Sequence, residues 1–202
     1  MEQKFDIVII GGGIVGLATA YQLSKEFSHL SIAVIEKEKE LGAHQTGHNS
    51  GVLHSGLYYT PGSKKAILCL EGKEEMVTFA KENGIAHDIC GKIIVATEEK
   101  ELKNLDKIFQ NGLANGVAGI QKIDAEKIKE LEPHCRGIQA IHVPSSGIIN
   151  YTDVSKKLCE LILKANTQNK IFLGEECLNI SEENKISFVK TTQKNLQAKV
   201  VI

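Results

Sequence analysis

The sequence predicts an α/β protein with a doubly wound sheet built around an N-terminal strand–helix–strand unit. Three observations support this fold class. An apolar run of strand length, Phe5 to Ile10, passes directly into the glycine-rich turn Gly11 to Gly16. Apolar residues then recur at helical spacing from Leu17 to Lys25. A second apolar strand, Ser31 to Ile35, ends on Glu36.

The turn contains the pattern Gly-x-Gly-x-x-Gly, and its three glycines have separate physical roles. Gly11 permits the sharp turn off the strand, Gly13 lets the backbone approach a pyrophosphate, and Gly16 lets the helix pack closely on the sheet. The N–H groups at the helix start, around Ile14 and Val15, lie at the positive end of the helix dipole and bind phosphates. The flanking strand and helix turn a weak motif into a strong prediction of a dinucleotide site.

Glu36 is the predicted contact to the ribose of that dinucleotide. It lies twenty residues after Gly16, at a strand end, where a carboxylate accepts hydrogen bonds from ribose hydroxyls. An acidic residue at this position disfavours a 2′-phosphate and therefore NADP. We include the neighbouring Lys37 among the predicted cofactor contacts.

A second unusual stretch, Gly42 to Gly51, is small, polar and rich in hydrogen-bond donors. It suits a backbone laid along an extended ligand, although a solvent-exposed loop would have a similar composition. The cofactor-binding residues predicted here are Thr46, His48, Asn49, Ser50 and Gly51.

Composition narrows the classes of function. The chain has 202 residues, 42% of them hydrophobic, and a formal net charge of −1. A net charge this close to zero provides no excess positive charge that would favour binding to nucleic acid or to an anionic membrane surface. The five cysteines are widely spaced and form no metal-ligand pattern, so we expect no metal and reduced thiols that are mostly buried. No leader peptide or apolar membrane span is expected, which predicts a cytoplasmic protein, at most peripheral on the inner face of the membrane.

Further along the chain, helical and strand patterns alternate without any internal repeat. Predicted helices cover residues 63–83 with Ser63 as N-cap, 99–115, 125–131 with Asp124 as N-cap, and a segment ending at Ala165 that Thr152 or Asp153 caps. Predicted strands cover residues 92–97, 138–143, 147–150, 171–173, 177–180, 186–189 and 199–202. Because the last strand is of the buried type and the sequence stops inside it, the chain looks truncated.

These motifs, taken together with several later stretches, resemble a known family. The stretches are His48 to Tyr59, Pro61 to Ala66 with Cys69, Cys90 to Ala96, Glu132 to Gly137 and Gly147 to Tyr151. They resemble FAD-dependent oxidoreductases of the D-amino-acid-oxidase type, and within these the L-2-hydroxyglutarate dehydrogenases and oxidases. The resemblance implies a Rossmann-like FAD-binding domain interrupted by a mixed α+β substrate domain. The predicted boundaries are 1–84 for the first part of the FAD domain, 85–168 for a partial substrate domain, and 169–202 for the return to the FAD domain.

The resemblance also implies a reaction. It is the oxidation of L-2-hydroxyglutarate to 2-oxoglutarate, with a hydride passing to flavin N5 and the electrons passing on to oxygen or a membrane quinone. His54 is the expected catalytic base, since a histidine titrates near neutral pH. Tyr58 and Lys65 are the expected contacts to the small dicarboxylate substrate, with Arg136 as a further candidate cation, and Cys177 is the expected backbone contact to adenine.

Three alternatives stay open at the level of the sequence. A flavin-dependent amine or amino-acid oxidase would share the fold and the cofactor. A fragment without catalytic activity, which merely binds a dinucleotide or fails to, would share the glycine motif. An NAD-dependent dehydrogenase is disfavoured by the donor-rich stretch from Thr46 to Gly51, which suits a flavin site.

Overall fold

A six-stranded mixed sheet forms the centre of the first of two structural units. The structure is a computed structural model and describes residues 3–202. The strands are β1 (Gln3–Ile10), β2 (Ile32–Glu36), β3 (Val52–Leu53), β4 (His87–Asp88), β5 (Lys92–Ala96), β6 (Gln121–Asp124), β7 (Gln139–Val143), β8 (Gly147–Ile149), β9 (Lys170–Leu173), β10 (Cys177–Glu183), β11 (Ile186–Thr191) and β12 (Asn195–Val201). The helices are α1 (Ile14–Glu26), α2 (Lys64–Glu82), α3 (Glu99–Ala114), α4 (Ala125–Leu131) and α5 (Tyr151–Ala165).

The sheet of the first unit has the strand order β10-β11-β12-β1-β2-β9. Strand β1 pairs in parallel with β12 and β2, and β2 pairs in parallel with β9, whereas β10, β11 and β12 form an antiparallel meander. The apolar residues Val8 and Ile9 of β1 and Ile32–Ile35 of β2 are at most 2% exposed, because both faces of the sheet are covered there. The α/β fold class predicted from the sequence is confirmed.

The two units divide at residues 50/51 and 150/151, which differs from the predicted boundaries at 84/85 and 168/169. The first unit contains the described residues up to Ser50 together with Tyr151–Ile202, and the second contains Gly51–Asn150. The helix α5 therefore belongs to the first unit, where it packs against α1. After α5 the chain enters the sheet of the first unit, since β9 pairs in parallel with β2.

Two asparagines connect the end of α5 to the first unit by hydrogen bonds. The Asn169 side chain is 2% exposed; its Oδ1 accepts a hydrogen bond from Ile32 N at 2.8 Å, and its Nδ2 donates to Ile162 O at 2.8 Å. The Nδ2 of Asn166 donates to the carbonyl oxygens of Ser28 and Leu30 at 3.1 Å each. These bonds tie the end of α5 to the segment that leads into β2.

The second unit contains two small sheets, with the strand orders β3-β8-β4 and β5-β7-β6, and the helices α2, α3 and α4. Its main core cluster is formed by Leu57, Ala96, Leu105, Val117, Ile120, Ile141 and Val143. The predicted caps are present, since Ser63 accepts from the N–H of Ala66 and Asp124 accepts from the N–H of Lys127.

The structure differs from the sequence-based elements in a few places. Strands β3, β4 and β6 were not predicted. Strands β3 and β4 are only two residues long, and the residues around β6 have the composition of a turn. The helix α5 begins at Tyr151, before either predicted cap. Of the five cysteines only Cys159 is buried, so the expectation of mostly buried thiols is wrong. Among residues 3–202, no helix combines the length and the hydropathy that crossing a membrane requires.

Asp6 gives the first unit a pH-dependent contribution to stability. Its Oδ1 forms an ion pair with Lys199 Nζ at 2.7 Å, and its Oδ2 accepts from Ser31 N and Oγ at 2.8 Å each. The hydrogen bond from Lys199, followed by that from the Ser31 N–H, lowers the pKa of Asp6 to about 2. A depressed carboxylate pKa adds stability that is complete above the unfolded-state pKa and is lost as the pH falls through the folded-state value.

Asp6→Asn should therefore lower the free energy of unfolding by about 1 kcal/mol at pH 7, a value reduced for the exposure of Lys199. The difference from the parent protein should shrink between about pH 5 and pH 2, because the parent loses its ionised partner there. Urea unfolding at pH 7 and at successively lower pH measures it. An equal difference at every pH would contradict this account.

Candidate functional site

The glycine turn of the first unit disfavours a side chain at three positions. Gly11 has φ +113°, a backbone conformation that residues with a Cβ rarely adopt. A Cβ built on Gly16 would lie 2.0 Å from the Gly11 carbonyl oxygen, and one built on Gly12 would lie 2.8 Å from the Cβ of Glu36. The turn therefore leaves bare backbone at the end of β1 and the start of α1.

The N-terminus of α1 is prepared for an anion. Gly13 is its N-cap and offers no side-chain oxygen, and the first turn holds no acidic residue. The N–H of Ile14 donates to Thr46 Oγ1 at 3.0 Å, while the N–H groups of Val15 and Gly16 have no intrahelical acceptor, as in the first turn of any helix. Free N–H groups at the positive end of the dipole fit a pyrophosphate.

Glu36 stands at the end of β2 with both carboxylate oxygens held by backbone groups. Gly12 N donates to its Oε2 at 2.8 Å, and Glu38 N donates to its Oε1 at 2.9 Å. Each oxygen has a second acceptor site, so the carboxylate can still receive ribose hydroxyls. Lys37 lies next to it in sequence, but its Nζ is 3.8 Å from Glu38 Oε1 and its side chain is largely exposed.

The donor-rich stretch folds into consecutive turns and divides into two parts. Thr46 is 8% exposed and reaches the start of α1, as described above. Asn49 Nδ2 donates to the carbonyl oxygens of Gln45 and Thr46 at 3.3 and 2.5 Å, and a ring nitrogen of His48 lies 3.0 Å from His44 O. These two side chains stabilise the turn itself, while Ser50 is exposed and Gly51 has φ +64°.

Cys177, the predicted adenine contact, is the first residue of β10 and packs partly buried against the core of the first unit. Just before it, Gly174 N donates to Glu38 O at 2.8 Å and Glu175 N donates to Glu36 O at 2.9 Å. The segment leading to Cys177 thus runs along the end of the strand that carries Glu36. Its role in cofactor binding stays a prediction.

Glu175 is a structural residue that sequence reasoning missed. It is 2% exposed, and its carboxylate accepts from Lys194 Nζ at 2.7 Å, Thr191 Oγ1 at 2.6 Å and Gln193 N at 3.1 Å. Burial by itself would raise the pKa of Glu175, but the bonds from Lys194 and Thr191 outweigh it and the pKa lies below its usual value. This buried anion orders the turn between β11 and β12, whose own groups hold its carboxylate.

In the second unit, the structure places His54 and Tyr58 on one exposed face and adds a residue that was not predicted. Lys92 Nζ lies 5.1 Å from the centroid of the Tyr58 ring. Burial, and then the positive charge of Lys92, lower the pKa of His54. Lys65, the predicted substrate contact, lies exposed at the start of α2, and Arg136 is also exposed; the roles of both residues stay predictions. The only sequence signal for Lys92 was a charge at the first position of an apolar strand.

Comparisons with known proteins show the family of the chain. The profile of the DAO family, described as FAD dependent oxidoreductase, matches residues 6–202. An L-2-hydroxyglutarate dehydrogenase from Indibacter alkaliphilus is 40% identical over 198 residues, which are 98% of this chain and 49% of that protein. The human mitochondrial L-2-hydroxyglutarate dehydrogenase is 52% identical over 152 residues, which are 75% of this chain and 33% of that protein.

Solved structures give the same fold. An L-α-glycerophosphate oxidase from Mycoplasma pneumoniae with FAD bound has a TM-score of 0.89 at 27% identity, covering 98% of this chain and 53% of that chain. A glycine oxidase from Geobacillus kaustophilus has a TM-score of 0.87 at 22% identity, covering 98% and 54%. The chain spans about half the length, or less, of these relatives. On the strength of the family profile and of the two dehydrogenases, the chain belongs to the DAO family of FAD-dependent oxidoreductases and is similar within it to the L-2-hydroxyglutarate dehydrogenases.

Proposed function

We propose that this chain binds FAD and takes part in the oxidation of L-2-hydroxyglutarate to 2-oxoglutarate. The observation that carries the proposal is the pairing of an uncapped α1 N-terminus with a backbone-held carboxylate at Glu36. Two dehydrogenases named for this substrate, at 40% and 52% identity, support the choice of substrate. The glycine oxidase, at 22% identity, supports the fold alone.

The residues of the first unit fit an FAD molecule in a specific way. The N–H groups of Val15 and Gly16 would hold the pyrophosphate, and Glu36 would hold the ribose hydroxyls. Thr46 fixes the start of α1 through its bond to the Ile14 N–H, so the phosphate site is pre-organised. FAD, when bound, supplies the acceptor for the hydride that leaves C2 of the substrate.

His54 is the residue that we propose as base for the substrate hydroxyl proton. Its imidazole is exposed on the second unit, and its lowered pKa keeps the ring neutral at physiological pH. A neutral imidazole has a free nitrogen lone pair and can accept a proton at Nδ1 or Nε2. The nearby Lys92 charge disfavours the imidazolium, so proton release after the reaction is also favoured.

The test is the visible absorbance spectrum of the purified 202-residue chain, before and after anaerobic addition of L-2-hydroxyglutarate. A bound flavin that bleaches with release of 2-oxoglutarate is expected. A flavin that stays oxidised would overturn the substrate assignment, and bleaching by glycine with release of ammonia would favour an amine oxidase. A colourless protein that does not take up added FAD would overturn cofactor binding.

His54→Gln should retain bound flavin but bleach at least about 100-fold more slowly, since a positioned general base contributes about 10²- to 10⁴-fold. Glutamine keeps a similar size and polarity but cannot accept the proton. Stopped-flow reduction of the flavin measures the rate. His134→Gln is the matched control because His134 is exposed on the same unit and has no assigned role. An undiminished rate in His54→Gln would remove the assignment.

A further inference from the structure

The segment from Leu53 to Tyr59 presents two side chains from a fixed backbone. Leu53, Ser55 and Leu57 are at most 1% exposed, whereas His54 and Tyr58 point outward. The Ser146 hydroxyl donates to Ser55 Oγ at 3.2 Å. Asn115 Nδ2 donates to the carbonyl oxygens of Gly56 and Tyr59 at 3.1 and 3.0 Å. The exposed side chains therefore start from a constrained loop.

Lys92 brings a cation to this loop from a different element. It is the first residue of β5, and the preceding Gly91 is fixed by the bond from its N–H to Ser146 O at 2.9 Å. The Lys92 side chain is partly buried, with Nζ over the Tyr58 ring. A cation over an aromatic face is held by the ring quadrupole, which positions the ammonium.

Among the residues that the structure describes, the charge of Lys92 has no anionic partner. Within the described residues 3–202, no carboxylate lies within 4.0 Å of Lys92 Nζ, which is the limit for an ion pair. The Lys92 side chain is partly buried, and this burial lowers the pKa of its ammonium. Placing a cation in a partly desolvated position without a counter-ion costs free energy, and an anion bound from outside the chain would offset that cost.

The groups around Lys92 are neutral or cationic. Cys69 Sγ donates to His54 O at 3.5 Å, and burial holds the pKa of this thiol above its usual value, so it is neutral. Lys73 acts on the same thiol as a second positive charge, and its Nζ donates to Ser145 O at 3.4 Å. The ring of Tyr58 has a raised pKa because of burial and is also neutral.

We infer that Lys92, held over the Tyr58 ring and near His54, is the cation that binds a carboxylate of the dicarboxylate substrate. The inference rests on the proposed function for the nature of the anion, and it assigns to Lys92 the role that the sequence had given to Lys65. A carboxylate on Lys92 gains a charge-assisted hydrogen bond and offsets the charge that acts on His54.

The experiment uses glutarate, a dicarboxylate without the reactive hydroxyl, and follows the His54 imidazole by NMR at constant ionic strength. In the parent chain, glutarate should raise the pKa of His54, because the bound carboxylate offsets the Lys92 charge. Lys92→Gln should raise the pKa of His54 without ligand and should weaken glutarate binding about tenfold or more. Lys107→Gln is the matched control, since Lys107 is an exposed lysine of the same unit; it should behave like the parent.

Three results would each overturn the inference. These are no effect of glutarate on the parent chain, equal glutarate affinity in Lys92→Gln and the parent, and a loss of affinity in Lys65→Gln in place of Lys92→Gln. If L-2-hydroxyglutarate bleaches the flavin but Lys92→Gln binds glutarate as tightly as the parent, the proposed function stands and only the role of Lys92 is removed. If glutarate binds through Lys92 but L-2-hydroxyglutarate does not bleach the flavin, the role of Lys92 in carboxylate binding stands and the proposed oxidation is overturned.

Discussion

Gly16→Ala should abolish flavin binding and lower the free energy of unfolding by about 3 kcal/mol. The new Cβ would lie 2.0 Å from the Gly11 carbonyl oxygen, far inside the contact distance of two non-bonded atoms. Neither atom can move alone, because one belongs to the first turn of α1 and the other to the turn off β1. The helix must shift away from the strand, which displaces the N–H groups that we propose for the pyrophosphate.

Gly72→Ala is the matched control for this experiment. Gly72 lies within α2, and a Cβ built on it meets nothing within 4 Å. The same substitution should therefore stabilise the chain by about 0.5–1 kcal/mol, because alanine has the higher helix propensity. Urea unfolding and flavin titration measure both variants. If Gly16→Ala bound flavin with the affinity of the parent, the turn would not be the phosphate site.

Gly16 belongs to a sequence motif and Gly72 does not, and this difference explains why the role of Gly16 could be predicted from the sequence. Gly16 was identified because its spacing from Gly11 and the flanking apolar periodicity have one dominant structural solution, and the structure confirms that solution. The position of Glu36 at the end of β2 was predicted from the same strand–helix–strand segment. Such local features depend on neighbours in sequence, so the chain itself carries their signal.

Lys92 and the domain boundaries could not be predicted in this way. The position of the Lys92 ammonium depends on where β5 pairs with β7 and on how the loop around Tyr58 folds, which are contacts between distant segments. The boundary was misplaced because an amphipathic helix such as α5 does not reveal which partner it packs against. The side chains of Asn166 and Asn169 form hydrogen bonds to the first unit just after α5, and in the sequence they look like ordinary turn residues.

Asn169→Ala tests how much the Asn169 hydrogen bonds stabilise the first unit, and it should lower the free energy of unfolding by about 3 kcal/mol. The substitution removes both bonds of a buried amide, leaving the N–H of Ile32 and the carbonyl of Ile162 without partners. Each unsatisfied buried group costs about 1–3 kcal/mol. Asn104→Ala is the control, since Asn104 is exposed on α3 and should change stability by less than about 0.5 kcal/mol.

Asn169→Ala also shows whether Asn169 affects only the stability of the fold or also the affinity for flavin. Ile32 begins β2 and Glu36 ends it, with the buried residues between them paired to β1. Because the pairing of β2 with β1 does not use the Asn169 side chain, flavin affinity should fall less than about threefold while stability falls strongly. Denaturant unfolding and flavin titration on one preparation measure the two effects. A parallel collapse of affinity would mean that the start of β2, and with it the position of Glu36, is set by Asn169 itself.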